Sequence, residues 1–421
     1  MASATSVQDM VRPSECTDIY YYDGATNMKQ CFATTQNTKY QQAFQSKGAG
    51  QQVFTIPPQN GIQDVFVNMS VVVPAVANCS LIGGWAYQLI DQVSFRYGGS
   101  SQFFITGDQL LQNALRKQPS RATADDVFNI GGNPVTSSAG GAQTVEATVV
   151  LTLPHNSVSS GVGKPHPLPT DCLTQQVQIT LVLKSAAAAF WGAGVASAPT
   201  ELASGTFILQ QVMLNNQGDA LARRVNMADN AYAFPCEFVQ QKQVISLANQ
   251  ADAQGVTLTG FRSGEVKAIH IWLTDTDDTP ANQSTNDPFY WYLPKSVEML
   301  YAGEKFAVFK AGSVAQLVNL VNGNKAPAFD LISTGNAGNG YGTGSVAAGQ
   351  ALLSKWVELP FAQTFVDEDS HYMLVHGKAI TNGIINLDIQ TPTAQSTWKL
   401  NVSYIYNSTL LFSQGTCDYV F

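Results

Sequence analysis

Charge is what this sequence has least of. Asp, Glu, Lys and Arg make up 12% of its 421 residues, about half the usual ~25%. The 22 Lys and Arg stand against 30 Asp and Glu, a net charge of −8. The densest basic clusters are Arg116-Lys117 with Arg121, and the pair Arg223-Arg224. That excludes a strongly basic nucleic-acid binder and a polybasic membrane anchor. Long hydrophobic runs are missing as well. The longest stretch of low polarity, Ser185 to Ala198 (SAAAAFWGAGVASA), is too short and too rich in Ala and Gly to span a bilayer. The first residues, MASATSVQDMVRPSEC, have neither a basic n-region nor an apolar h-region, so no secretory leader is expected.

Signatures of metal and catalytic chemistry are equally scarce. The six cysteines (Cys16, Cys31, Cys79, Cys172, Cys236, Cys417) are dispersed, with no C-x-x-C. The five histidines (His155, His166, His270, His371, His376) never reach H-x-x-x-H spacing. Free thiols in a reducing compartment are expected, and no zinc. There is no G-x-S-x-G elbow, no P-loop, and no G-x-G-x-x-G in a βαβ setting. Asp275, Asp277 and Asp278 lack the Gly-centred loop with a closing Glu that calcium needs, and read as a solvated turn. Asp367, Glu368 and Asp369 lie near His371, a pairing capable of acid–base work, but their flanks read as a strand-to-strand loop. Trp85, Trp191, Trp272, Trp291, Trp356 and Trp398 could form a sugar-stacking platform; several fall at strand positions that favour the core. The five N-x-S/T sequons, at Asn68, Asn78, Asn282, Asn401 and Asn407, carry little weight in a chain this rich in Asn, Ser and Thr. No catalytic, cofactor-binding or metal-ligating residue is assigned, and no enzyme activity or cofactor is expected.

What is present is β-structure. At 45% hydrophobic and 10% aromatic residues, the chain is too apolar to be disordered. It is also long enough that two domains are the default. Period-2 alternation predicts strands over Ile62–Val73, Leu89–Tyr97, Val145–Leu153, Gln175–Leu183 and Thr206–Leu214. It predicts further strands over Val266–Leu273, Ser296–Tyr301, Trp356–Phe361, Gly383–Ile389 and Trp398–Tyr406. Helical spacing is confined to Asp108–Lys117, with Leu111, Ala114 and Leu115 on one face, and to Ser313–Val321. Gly131–Thr144 and Ser333–Gly349 read as long, glycine-rich surface loops.

The chain repeats itself. Val93-Ser-Phe-Arg-Tyr97-Gly-Gly99 is echoed by Val297-Glu-Met-Leu-Tyr301-Ala-Gly303, and Gln112 in the helical stretch that follows is echoed by Gln316, both at an offset of 204. Val149–Pro154 is echoed by Trp356–Pro360, and Gln176–Leu181 by Ile384–Ile389, at nearly the same offset and in the same order. Two similar β-domains in tandem follow, joined near Asn215 to Asn230. Each has about eight strands, long crossing connections and one helical insertion, which suits two-sheet Greek-key packing better than an up-and-down barrel. The expected fold is all-β: two tandem eight-stranded jelly rolls with short helical insertions. Residues 1–50 form an N-terminal arm, 51–215 the first jelly roll and 216–421 the second.

Four segments resemble the double jelly-roll major capsid proteins of icosahedral DNA viruses, a group spanning large nucleocytoplasmic viruses, virophages, polinton-like viruses and tailless membrane-containing phages. They are Trp85–Val93 with Gly98-Gly99 and Thr106-Gly107; Pro167-Leu168-Pro169 with Leu173 and Gln176–Ile179; Val297–Phe306; and Glu358–Phe361 through Gly383–Leu387 to Tyr404–Asn407 and Gln414-Gly415. In the third, Ala302 and Lys305 stand where the family usually has Asn and Arg. The resemblance implies a structural subunit of the virion shell, a homotrimer forming a pseudo-hexagonal capsomer. Its implied partners are itself, neighbouring capsomers, minor capsid or cement and penton proteins, and an internal membrane reached by the N-terminal arm. Sequence-specific nucleic-acid binding is not among them. Ser333–Gly349 lacks the apolar residues that burial needs and is expected on the outer face, with its counterpart Gly131–Thr144 at the same end of the first domain. The competing readings are a tandem jelly-roll carbohydrate-binding protein and a minor vertex or spike protein.

Overall fold

The computed structural model describes residues 35–56, 61–82, 84–97, 102–116, 141–152, 168, 170, 173–214, 232–240, 242–247, 254–262, 264–275, 291–292, 294, 296–301, 304–310, 356–360, 364–366, 373–375, 378–380, 385–391, 398–413 and 415–420. In the first half the strands are β1 (Thr35–Ala43), β2 (Gly50–Ile56), β3 (Gly61–Val73), β4 (Ser80–Leu81), β5 (Ile90–Arg96), β6 (Phe103–Thr106), β7 (Gln143–Leu151), β8 (Val177–Leu183), β9 (Phe190–Trp191) and β10 (Ser204–Leu214). Helix α1 (Trp85–Gln88) precedes β5, and helix α2 (Gly107–Arg116) follows β6 without a break. The second half begins with β11 (Tyr232–Val239), β12 (Gln243–Leu247), β13 (Gln254–Leu258), β14 (Gly264–Asp275), β15 (Trp291–Tyr292), β16 (Ser296–Tyr301) and β17 (Glu304–Lys310). It ends with β18 (Val357–Pro360), β19 (Thr364–Val366), β20 (Met373–Val375), β21 (Lys378–Ile380), β22 (Ile385–Gln390), β23 (Trp398–Ser413) and β24 (Thr416–Val420).

The first half pairs its strands as β1-β10-β3-β7 and β2-β8-β5-β6. The second pairs β11-β23-β14, with β18 on the far edge of β14, and β13-β22-β16-β17. The same positional order recurs in each, and all these pairings are antiparallel. That order, with the chain crossing repeatedly between two facing sheets, is the jelly roll. The matched sequence pairs fall on equivalent strands: β5 with β16, β7 with β18, and β8 with β22.

Alternation explains why these stretches extend and stack. In β3, Val65, Val67, Met69 and Val71 are fully buried while Asp64, Phe66 and Asn68 are half-exposed. In β8 the buried set is Val177, Ile179, Leu181 and Leu183. The two sheets of the first half meet where Phe54 of β2 stacks on Phe207 of β10, ring centroids 4.1 Å apart. A fully buried Phe contributes about 1.5–3 kcal/mol. Trp272 and Trp398 are buried in the core, as the strand pattern predicts, and so is Trp85 of α1, whereas Trp191 and Trp356 are half-buried at its border.

Two expectations change. The stretch placed in an N-terminal arm contains β1, which pairs with β10 along its whole length from Thr35↔Leu214 to Ala43↔Thr206. β1 is thus a strand of the β1-β10-β3-β7 sheet, where an arm was expected over 1–50. A polar sequence such as TQNTKYQQA extends because the backbone of β10 supplies its hydrogen bonds, and an edge strand needs no apolar face of its own. Of the loop expected over 131–144, the end is strand: β7 starts at Gln143. Residues 1–34, 131–140 of that loop, Ser313–Val321 and Ser333–Gly349 lie outside the described residues, as do Cys16, Cys31, Cys172 and every histidine but His270. No described helix is long and apolar enough to cross a membrane.

Candidate functional site

The site that organises the molecule is the seam between its halves. Its first-half side starts at the junction of β6 and α2. The sequence Thr106-Gly-Asp-Gln109 has capping-box spacing, and Gln109 Oε1 accepts from the Thr106 backbone N–H at 3.0 Å. That fixes the Gln109 amide, whose Nε2 donates out of the jelly roll to the Gln240 carbonyl (2.9 Å) and to Ser403 Oγ (2.5 Å) of the second half. One side chain thus starts the helix and docks the neighbouring domain. Asp108, buried beside it, accepts from the Thr106 hydroxyl and from Lys242 Nζ, the latter at 2.6 Å. One turn on, Gln112 Oε1 faces His270 Nδ1 of β14 at 3.3 Å.

Electrostatics hold Asp108 ionised. Burial pushes its carboxyl upward, but the Lys242 charge and hydrogen bond, the Thr106 hydroxyl and the nearby Lys184 outweigh burial and bring it below the ordinary carboxylate value. Burial lowers Lys184, with Asp108 and Asp91 acting against it.

Beside this polar strip runs an aromatic one. Phe103 of β6 meets Phe238 of β11 edge-on at 5.2 Å, and Tyr419 of β24 packs against both. Tyr97 joins them near Cys236 and Cys417; burial pushes its phenol well up, aided by the two thiols. The Cys236 thiol is pushed up to about 12, chiefly by burial. Cys79, Cys236 and Cys417 are buried and free, matching the expectation for those three. At the far end, Thr174 binds the Gly415 carbonyl through its backbone N–H (2.9 Å) and its hydroxyl (3.1 Å).

Burial holds the seam's described thiols protonated, and Asp108 is paired with Lys242. Among the described residues no three His, Cys, Asp or Glu side chains converge on a metal position. What the arrangement does is mechanical: it fixes one jelly roll against the other. Of the acidic clusters weighed from sequence, Asp275 ends β14, while Asp277, Asp278, Asp367, Glu368, Asp369 and His371 lie outside the described residues. Asn68 donates to Glu146 at 2.9 Å and Asn401 to Thr274 at 3.1 Å. Asp108, Gln109, Lys242 and Ser403 were not singled out by sequence reasoning. The readable signals were the capping-box spacing and the recurrence of Gln112.

No family model matches the sequence, and no curated protein matches it. Solved structures do. The PBCV-1 protein fitted into a reconstruction of the virophage Sputnik superposes with a TM-score of 0.62 at 13% identity, over 95% of this chain and 98% of its own. The quasi-atomic model of the PBCV-1 virus capsid gives 0.60 over the same shares, also at 13% identity. The mavirus major capsid protein gives 0.54 at 12% identity, over 95% and 92%. The chain has the double jelly-roll fold.

Proposed function

We propose that this double jelly-roll chain is the major capsid protein of an icosahedral DNA virus, residing in the virion shell. The observation that carries the reading is the superposition, near full length on both sides, with the PBCV-1 protein and the mavirus major capsid protein. Two equivalent jelly rolls clamped by a buried seam support it, because a shell subunit must present a fixed shape to its neighbours. We take the unit to be a homotrimer. Three chains of two similar domains give six similar blocks around a threefold axis, which tile a hexagonal lattice without six identical subunits. Residues 1–34, ahead of β1, serve as an arm toward minor capsid proteins or an internal membrane, and the halves divide between β10 and β11. The chain acts without enzymatic activity or cofactor.

Light scattering tests this directly. Purified protein should give about three times the 45.2 kDa monomer mass, and electron micrographs should show pseudo-hexagonal particles. A stable monomer at micromolar concentration overturns the reading. High copy number in purified virions separates a major from a minor capsid protein.

A further inference from the structure

One buried ion pair takes no part in the seam contacts. Lys267 of β14 meets Glu237 of β11, although β23 runs between their two strands. Only 13% of the lysine side chain and 6% of the glutamate side chain are exposed. The register shows what the lysine passes over. Glu237 is paired with Asn407 of β23, and Asn407 in turn with Glu265 of β14. The next row on the same face is Val239, Ile405 and Ala268, all buried. Lys267 is the extra residue of a bulge, set between Val266 and Ala268. To reach Glu237, its side chain crosses β23 between Ile405 and Asn407. Directly opposed residues on neighbouring strands have Cβ atoms about 4.5–5.5 Å apart. The half-buried Asn407 therefore stands beside the Lys267–Glu237 contact, with an apolar row on the other side.

We propose that Lys267 and Asn407 join through an intramolecular isopeptide bond, formed by the chain itself with Glu237 as the proton-transfer group. Charge separation is expensive beside an apolar wall, so the ammonium of Lys267 passes a proton to the Glu237 carboxylate. The neutral amine then attacks Cγ of Asn407, forming the Nζ–Cγ bond. Glu237 protonates the departing Nδ2 and takes up the second proton released by Nζ. The Cγ–Nδ2 bond breaks and ammonia leaves. Glu237 returns to its carboxylate as ammonia carries its proton away as ammonium. Nothing is oxidised or reduced, and no co-reactant is needed. The product ties β14 covalently to β23, the central pair of its sheet, so the two strands cannot be pulled apart even when their backbone hydrogen bonds open. This inference does not depend on the capsid reading.

Mass spectrometry of the folded full chain tests it. The wild-type mass should lie about 17 Da below that of the sequence, the mass of one ammonia. Trypsin should no longer cut after Lys267, and one branched peptide should join Lys267 to Asn407. Glu237→Gln keeps the size and a hydrogen-bonding group but cannot carry the proton, and should have the full mass and no branched peptide. Lys267→Arg keeps the pairing with Glu237 and should likewise stay unlinked, which covers the case in which Glu237→Gln does not fold. Full mass in the folded wild-type chain overturns the proposal. So does the same loss without a branched peptide, which would mean a succinimide at Asn407-Ser408, or a branch at any other residue. A branched peptide in folded Glu237→Gln at the wild-type yield overturns the role given to Glu237.

Discussion

At the scale of single residues the seam depends on one charge. Asp108 is ionised in the fold because Lys242, Thr106 and Lys184 outweigh its burial. A carboxyl held below its unfolded value stabilises the fold above that value, and the contribution is lost as pH falls through the folded value. The melting temperature should therefore hold near neutrality and drop below about pH 4. Asp108→Asn should cost about 2–3 kcal/mol at pH 7, since it leaves Lys242 without its partner and keeps the burial. The two melting curves should converge as pH falls toward 3. A constant gap from pH 7 to pH 3 would show that the cost is one of shape and not of charge. The thiols behave oppositely. With Cys236 pushed up to about 12, its thiolate fraction at pH 8 is roughly one part in ten thousand. Alkylation mapped by mass should leave Cys79, Cys236 and Cys417 unmodified until the protein is unfolded.

At the scale of elements, α2 can sit where it does only because its first residue is glycine. A Cβ on Gly107 would overlap the backbone carbonyl oxygens of Tyr87 and Ile90, which flexible side chains cannot relieve. Replacing Gly by Ala in a helix gains about 1 kcal/mol of propensity, but the overlap forces a backbone shift costing ~3 kcal/mol or more. Gly107→Ala should thus lower the melting temperature and loosen the seam together. Gly48→Ala, whose Cβ would meet nothing closer than 3.9 Å, should be neutral or slightly stabilising. Denaturation monitored by tryptophan fluorescence would separate the two outcomes.

The same elements show what could be read from the sequence. Strands buried on one face announced themselves: Gly61–Val73, Val177–Leu183 and Ile385–Gln390 alternate cleanly and fall within a residue or two of the expected bounds. β1 did not, because an edge strand draws its stability from the partner's backbone and carries no apolar period. The polar side of α2 was equally misleading. Asp108, Gln109, Gln112 and Asn113 look like a solvated face, yet all four are buried. Periodicity reports how apolar a surface is, and a surface buried against polar partners of another domain is silent by that measure. Only the recurrence of Gln112 hinted that this side had a partner.

At the scale of the whole molecule, the duplication explains why the chain should be incomplete alone. The seam covers one face of the β11-β23-β14 sheet with residues of α2 and β6, whereas Phe66, Ile208 and Val150 on the corresponding face of the first half stay partly or largely exposed. The intrachain seam carries an ion pair and side-chain amides, whereas the counterpart face centres on Phe66, Ile208 and Val150. The two should therefore respond differently to solvent. An apolar contact is strengthened by salts excluded from protein surfaces and is little affected by screening. Assembly followed by light scattering should persist or tighten between roughly 0.1 and 1 M sodium sulfate. On the proposed reading, residues 1–34 should be separable from the fold and from the subunit contact. β1 holds the first jelly roll together through β10, so removal of residues 1–34 should spare the fold and the capsomer, with melting temperature and capsomer mass unchanged. Removal through Ala43 strips an entire strand from the sheet that carries Ile208 and Phe66 and should abolish association. If the shorter truncation already prevents the capsomer from forming, residues 1–34 belong to the subunit contact and not to an arm. If it leaves capsomers that no longer build shells, the arm works at the next level of assembly, between capsomers and what lies beneath them.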